Sequence, residues 1–131
     1  MRILLVNPPR FRGIPVIREE RCEITELYSV LPPYSLLQIA ALLRKEGHQV
    51  SLIDANGENI TYEQLSHRLQ DASYDALVFR FTPTTFDWDV EVAKLSKDLN
   101  PQAKTISICY TLRTMSEDVL ARAPSLNIYI R

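Results

Sequence analysis

Three short segments of this sequence carry polar side chains or prolines at the points where predicted strands end. Their hydroxyl, amide and backbone groups suit hydrogen bonding to a large neutral ligand that bears amides, and they do no acid–base chemistry. The residues are Asn7, Pro8, Pro9, Thr82, Pro83, Thr84, Thr85, Tyr110, Thr111 and Leu112. On residue types alone, such segments are more often ordinary loops than binding sites, so both interpretations stay open.

The elements that must position these segments are clearest in residues 31–54. Pro33 favours the start of a helix, and Gly47 favours its end. Between them, apolar residues recur every three or four positions and form one stripe. The stripe consists of Leu36, Ile39, Ala40 and Leu43. Val50 to Asp54 then has the pattern of a short strand, so a helix leads directly into a buried strand, as in a β-α-β unit.

The rest of the chain alternates strands and helices in the same way. We expect further strands at residues 3–6, 76–81, 105–109 and 127–130, and further helices over 62–70, from 87 to 99, and from 116. Thr61 and Gln64 form a capping-box pattern before the second helix. The fold class predicted is α/β, a doubly wound, flavodoxin-like or Rossmann-like five-stranded parallel sheet with order 2-1-3-4-5 and helices on both faces. Ligands of such sheets bind at the carboxyl ends of the strands where the order reverses, here between the first and third strands.

The overall composition limits the class of protein. The 131 residues, 46% hydrophobic and 24% charged, indicate a single domain over residues 1–131. Fifteen basic and sixteen acidic residues leave a net charge of −1, which gives no electrostatic case for nucleic acid or an anionic membrane. With no apolar run long enough to span a bilayer and no signal-peptide pattern, we expect a cytoplasmic protein whose cysteines, Cys22 and Cys109, are reduced.

Motifs for several other chemistries are missing. The chain has no glycine-rich phosphate loop and only three glycines. A response-regulator receiver would need clustered carboxylates beside the first strand, where Asn7 and two prolines stand, and a lysine after the fifth strand, whereas the last lysine is Lys104. Asp54 is assigned to capping, and Asp87 with Asp89 suits the dipole at a helix start better than catalysis.

Residues 8–30 form a long connection rich in charge. A connection of this length inside a compact domain is either functional or a solvated excursion. The sequence favours neither interpretation.

The chain resembles the N-terminal cobalamin-binding domain of cobalamin-dependent radical SAM proteins, the group that includes anaerobic magnesium-protoporphyrin IX monomethyl ester cyclases. The resemblance rests on MRILLVNPP, PPYSLLQIAALLRKEGHQVSLIDA, YDALVF and LNPQAKTISI. It covers nearly the whole chain. Its most specific parts are the NPP after the first strand and the pattern that runs from the paired prolines through the first helix to Asp54.

The resemblance implies that the ten residues above bind cobalamin. Cobalamin domains of the methionine synthase type carry an Asp-x-His-x-x-Gly motif after the first strand, and this chain has none. Its two histidines, His48 and His67, fall before the second strand and inside the second helix. We therefore expect base-off cobalamin with no histidine ligand on cobalt.

The resemblance also implies a longer parent protein of which this chain is a fragment. The expected partner is the radical SAM catalytic domain of the same longer chain, which would bind S-adenosylmethionine and a 4Fe-4S cluster. Two isolated cysteines cannot supply the Cys-x3-Cys-x2-Cys motif that the cluster needs, so neither group would be bound by this chain. The chain alone is expected to be non-catalytic, and methyl transfer or a cyclase-type reaction would belong to the parent.

Two departures from the family leave an alternative open. Relatives carry Gly-Gly after the fourth strand, where the backbone approaches the nucleotide tail, and Cys109-Tyr110 stands there instead. Tyr110 would fill the tail groove. Arg80 replaces a small residue near the end of the third strand and is expected either at the surface or reaching a neighbouring domain or a ligand amide. The alternative is a degenerate domain that serves as a structural or docking module.

Overall fold

The computed structural model describes residues 1–19, 22–24 and 29–131. In chain order the elements are β1 (Arg2–Asn7), β2 (Val16–Arg18), β3 (Cys22–Ile24), α1 (Tyr34–Lys45), β4 (Gln49–Asp54), α2 (Tyr62–Asp71), β5 (Ala76–Arg80), a 3₁₀ turn (Pro83–Thr85), α3 (Phe86–Asp89), α4 (Glu91–Leu99), β6 (Lys104–Ile108), α5 (Ser116–Arg122) and β7 (Ile128–Ile130). Five of these strands form one parallel sheet in the order β4-β1-β5-β6-β7. Numbered within that sheet alone, the order is 2-1-3-4-5, which confirms the predicted topology.

In the chain, an antiparallel hairpin of β2 and β3 falls between β1 and β4, which are neighbours in the main sheet. The sequence predicted no strand there, and these two extra strands are the reason that the second strand of the main sheet is numbered β4. Val16 and Arg18 are 2% and 4% exposed. This part of the long connection is therefore packed against the domain and is not a solvated excursion. Residues 20, 21 and 25–28 of the connection lie outside the described residues.

Helix α1 follows the predicted pattern. It begins directly after Pro33 and ends before Gly47, whose φ of +82° is the left-handed conformation that stops the helix. Its stripe faces the sheet, with Leu36 and Ala40 buried and Ile39 and Leu43 half-buried. The apolar stripe thus positions α1 over β1 and β4.

Helix α2 starts with the predicted capping box. The Thr61 side chain accepts a hydrogen bond from the Gln64 amide, and the Gln64 side chain accepts one from the Thr61 amide. Both otherwise unsatisfied amides at the helix start are paired in this way.

The predicted third helix begins one residue earlier than expected, at Phe86, and is wrong in its continuity, because the structure divides it at Val90. The Thr82 side chain accepts from the Thr85 amide and begins a 3₁₀ turn, α3 then starts at Phe86, and α4 follows after Val90. Pro83 stands at the first position of the turn, where the φ that its ring imposes fits the 3₁₀ conformation. The shorter α3 places Asp89 at its inner end.

Helices cover both faces of the sheet, as predicted. One face carries α1 over a small cluster formed by Ile3, Leu5, Leu36, Ala40 and Val78. The opposite face carries α2, α4 and α5 over a larger cluster that includes Leu65, Val92 and Val119. On the α1 side the sheet continues to Ile128 and Ile130, the register partners of Ile106 and Ile108, and these two side chains are 45% and 47% exposed.

Within the part of the chain that the structure describes, no helix is both long enough and apolar enough to cross a membrane.

Candidate functional site

The first two predicted segments meet at the carboxyl edge of the sheet. β1 ends at Asn7 and its neighbour β5 ends at Arg80, so residues 7–9 and 82–85 leave adjacent parallel strands at the same edge. This is the point where the strand order reverses. The fold therefore brings the two segments together as the sequence predicted.

The crevice between these strands holds the side chain of Arg18. Its guanidinium donates to the carbonyl oxygens of Pro8 (3.0 Å) and Pro9 (2.8 Å) and lies 3.4 Å from Asn7 Oδ1. It also forms an ion pair with Asp89 at 2.7 Å, and the two side chains are 2% and 0% exposed. The NPP segment consequently gives its carbonyls to an internal arginine.

Asp89 joins this arginine to the threonine turn. Its Oδ2 accepts from Thr85 Oγ1 (2.6 Å) and from the Thr82 amide (3.3 Å). Burial raises the pKa of the Asp89 carboxyl, while the charge of Arg18 and the hydrogen bonds to Asp89 counter that rise. Asp89 lies in the first turn of α3, as the sequence predicted, and its charged partner there is Arg18. Its role is to compensate a buried charge.

A second internal contact fixes the end of β1. Asn7 Nδ2 donates to Asp54 Oδ1 at 2.7 Å, and the same oxygen accepts from the Gly57 amide at 2.9 Å. Asp54 thus caps the turn after β4, as predicted, and ties it to β1. With Asn7 only 3% exposed, its amide serves this network.

Arg80 points inward. Its side chain pairs with Glu19 at 3.5 Å and donates to the Glu19 carbonyl at 2.9 Å, and the residue is 9% exposed. Glu19 Oε1 also accepts from the Ser35 amide at the start of α1. The expectation that Arg80 lies at the surface or reaches beyond the domain is wrong, because its partner is the hairpin.

An open cleft lies beside this network, on the outer side of the threonine turn. Its volume is about 430 Å³. The lining residues are Phe11, Arg12, Pro83, Thr84, Thr85, Phe86, Asp87, Trp88 and Arg122. The cleft combines aromatic rings with two guanidinium groups and a threonine hydroxyl, and Thr84 is exposed there.

Trp88 and Arg12 separate this cleft from a smaller one of about 220 Å³ that reaches Tyr62. Trp88 contacts Phe11 and Tyr62 edge-on, with ring centroids 5.8 and 5.2 Å apart, and donates from Nε1 to the Pro9 carbonyl at 3.3 Å. Burial raises the pKa of Tyr62, which remains a donor to the Trp88 carbonyl. Trp88 is therefore held in a fixed orientation at the rim.

The third predicted segment does not line either cleft. Tyr110 is 61% exposed with the Arg113 guanidinium 4.6 Å from its ring centroid, Thr111 is exposed, and Leu112 packs against the larger core cluster. Tyr110 is therefore at the surface, and its filling of a tail groove stays a prediction. Tyr129 packs beside the end of β6, since its hydroxyl donates to the Cys109 carbonyl and its ring stacks on Phe81.

Sequence reasoning missed Arg12, Arg18, Trp88 as a rim residue, and Arg122. For Arg18 a signal existed, because Val16 and Ile17 are adjacent β-branched residues within an otherwise charged segment, a composition that favours a short strand. Among the described residues, no group of three or more His, Cys, Asp or Glu side chains is placed to hold a metal ion.

The chain is a doubly wound α/β domain with a polar edge where its strand order reverses, which is the edge at which domains of this class bind ligands. The family model of the B12 binding domain matches residues 21–125, and the chain belongs to that family. Membership supports cobalamin binding. A search of curated proteins found no match.

Proposed function

We propose that this domain binds a corrinoid at the carboxyl edge of the sheet, over the cleft beside Trp88. The observation that carries the proposal is the position of that cleft, beside the reversal of strand order in a domain of the B12 binding family. The predicted residues Pro83, Thr84 and Thr85 line it. Asn7, Pro8, Pro9 and Thr82 support it from behind through their bonds to Arg18 and Asp89.

The chemistry of the cleft suits a corrin ring. A corrin is a flat macrocycle fringed with amides, so it would cover a cleft of this size and not enter it. Phe11 and Trp88 offer apolar surface, while Arg12, Thr84 and Arg122 offer donors to amide oxygens. These are contacts of binding and orientation. The cobalt chemistry would come from the corrinoid itself.

The proposed corrinoid is base-off and lacks a histidine ligand. What supports this is where the two histidines lie: His48 comes just before β4, at the amino end of the sheet, and His67 is exposed on α2. Neither lines the cleft. A corrin with one face against Trp88 leaves no room on that face for the ligand's own base.

The parent reaction is proposed from the sequence resemblance. We propose that a radical SAM domain in the same longer protein faces the exposed side of the corrin and performs a methyl transfer or a cyclase-type reaction. That domain, and not this chain, would hold S-adenosylmethionine and the 4Fe-4S cluster. The role of the present chain is to hold and orient the corrinoid.

The chain contains one tryptophan, and its position at the rim provides a direct test. Hydroxocobalamin and methylcobalamin are titrated into the purified chain while Trp88 emission and the visible spectrum of the corrin are recorded. Saturable quenching with a base-off spectrum is expected. A saturable change in the visible spectrum without quenching of Trp88 emission would place the ligand away from the cleft.

Arg12→Ala is the variant that tests the location. Loss of one donor to a ligand amide is expected to weaken binding roughly 5- to 20-fold. The matched control is Arg44→Ala, which removes an exposed arginine that bonds the Val50 carbonyl near the amino end of the sheet. Equal affinities for the two variants would contradict the proposed cleft.

A second candidate function is a degenerate module that serves in docking or structure. The filling of the strand-end crevice by Arg18 favours it, because a ligand that needs this crevice has no access. Absence of binding by any corrinoid, with native circular dichroism, would support this candidate against the first.

A further inference from the structure

A complete cobalamin presents two parts that need different surfaces. The corrin ring needs a broad apolar area with donors around it. The nucleotide tail carries a phosphodiester, a sugar and an aromatic base, and it needs a deep channel if it is to be bound at all. The described residues offer a broad surface for the corrin ring, and the two places where a channel for the tail could lie are filled.

The crevice between β1 and β5 has almost no free space. The cavity left there is about 10 Å³, room for little more than one water molecule. The hairpin supplies Val16, Arg18 and Glu19 to its lining, and Leu36 of α1 and Arg80 of β5 close it. A nucleotide tail cannot enter this crevice while the hairpin is in place.

The hairpin is held there by buried charge. Arg18 makes hydrogen bonds to two carbonyls and an ion pair with Asp89, and Arg80 makes an ion pair and a hydrogen bond to Glu19. Displacing the hairpin would separate these partners and leave Asp89 buried without its cation. Because an uncompensated buried charge is strongly unfavourable, the tail would have to replace every one of these contacts.

The end of β6 is closed as well. Cys109 is 3% exposed, and its carbonyl accepts from the hydroxyl of Tyr129. Burial raises the pKa of Tyr129 to about 12, so the hydroxyl keeps its proton at neutral pH. The Tyr129 ring lies nearly parallel to Phe81, with centroids 5.8 Å apart. Tyr129 and Phe81 therefore fill the space at the end of β6, the second place where a nucleotide tail could enter.

We infer that the described residues recognise the corrin ring and provide no site for the nucleotide tail in the strand-end crevice or at the end of β6, so that the ligands are corrinoids with or without a tail. This inference rests on the proposed corrinoid function. It adds a specificity that family membership does not give, because the closed crevice and Tyr129 are features of this chain.

The test compares aquocobalamin with aquocyanocobinamide, which has the same ring and no nucleotide tail. Each is titrated into the full chain of 131 residues, with Trp88 emission and the visible spectrum as readouts. Cobinamide is expected to bind at least as tightly as cobalamin, because cobalamin must lose its own base from cobalt before it binds base-off and gains no tail contact in return. A preference for cobalamin of about tenfold or more would overturn this inference and leave the proposed function standing. Absence of binding by both corrinoids would overturn the two together.

Two variants sharpen the result. Arg12→Ala is expected to weaken both ligands by the same factor, since Arg12 lies at the cleft and not in the crevice. Tyr110→Gly tests whether a tail groove lies beneath that tyrosine. If this change strengthens cobalamin binding and leaves cobinamide binding unaltered, a tail site exists and the inference is wrong. If Tyr110→Gly leaves the affinities for cobalamin and for cobinamide both unchanged, the inference is supported.

Discussion

Arg18 and Asp89, 71 positions apart in the chain, form an ion pair of 2.7 Å in which neither side chain is more than 2% exposed. The pair connects the hairpin, the NPP segment after β1 and the threonine turn after β5. It is the structural centre of the carboxyl edge, and it determines which polar groups remain for a ligand.

Asp89→Asn should destabilise the protein severely. The amide has nearly the same size but no charge, so Arg18 remains buried without compensation, and we expect the free energy of unfolding to fall by about 3–5 kcal/mol. Urea unfolding followed by circular dichroism measures the loss.

Asp87→Asn is the control for this change. Asp87 pairs with Arg122 at the surface, where the side chains are 81% and 62% exposed, and the expected loss is within about 1 kcal/mol. Losses of similar size in the two variants would show that burial of the Arg18 pair carries no special weight.

Gly57→Ala should disturb the network at the end of β1. A Cβ at this position would lie 2.3 Å from Asp54 Oδ2, so the carboxylate must move and weaken its bonds to the Gly57 amide and to Asn7. We expect a loss of about 1–3 kcal/mol in the free energy of unfolding and a shift of the Asn7 side-chain amide signals in NMR.

Gly47→Ala is the matched comparison. This glycine has a φ of +82° and nothing within 4 Å of a Cβ, so alanine suffers backbone strain alone, about 1–2 kcal/mol. Its effect should not reach the Asn7 signals. Movement of those signals in both variants would mean that they report general destabilisation.

Leu36→Ala and Leu37→Ala test the orientation of α1. Leu36 is 1% exposed against the sheet, whereas Leu37 is 45% exposed. The first change should lower the free energy of unfolding by about 2–5 kcal/mol through the cavity it leaves, and the second by no more than about 0.5 kcal/mol. A substantial loss for Leu37→Ala would show that another surface covers it in solution.

Asp75 should titrate at unusually low pH. Hydrogen bonds from the side chain and backbone of Arg2 hold the pKa of Asp75 below its ordinary value of 3.8. Since the folded-state pKa is the lower one, the stabilisation is present at neutral pH and is lost as the pH falls through that value. Carboxyl NMR should show a depressed midpoint that rises in Arg2→Gln. Identical midpoints would contradict the pairing.

The topology was predictable because its signals are local. The stripe of α1 begins after Pro33 and ends at Gly47, the capping box of Thr61 and Gln64 starts α2, and apolar runs mark the five sheet strands. Each signal lies within a short window, where periodicity and capping preferences act independently of distant residues. The alternation of these elements then leaves few possible sheet orders.

For the candidate site, the sequence predicted only the edge of the sheet and not the side chains that face a ligand there. Sequence analysis placed the ligand where strands one and three end, since strand order alone defines that edge. It gave no means of separating Thr84, which is exposed at the cleft, from Thr82 and Thr85, which are buried and bond Asp89 through the Thr82 amide and the Thr85 hydroxyl. The three threonines of this turn differ in burial and in hydrogen-bond partners because of the tertiary contacts around Asp89.

The sequence by itself therefore determined the sheet, its helices and the edge at which a ligand would bind. The tertiary structure alone decided that Arg18 occupies the crevice, that Arg80 turns inward to Glu19, and that Trp88 and Arg12 face the open cleft. The physical reason is that a buried charge must find its partner wherever the fold places one. Asp89 lies 71 residues from Arg18, a separation across which no local pattern carries information.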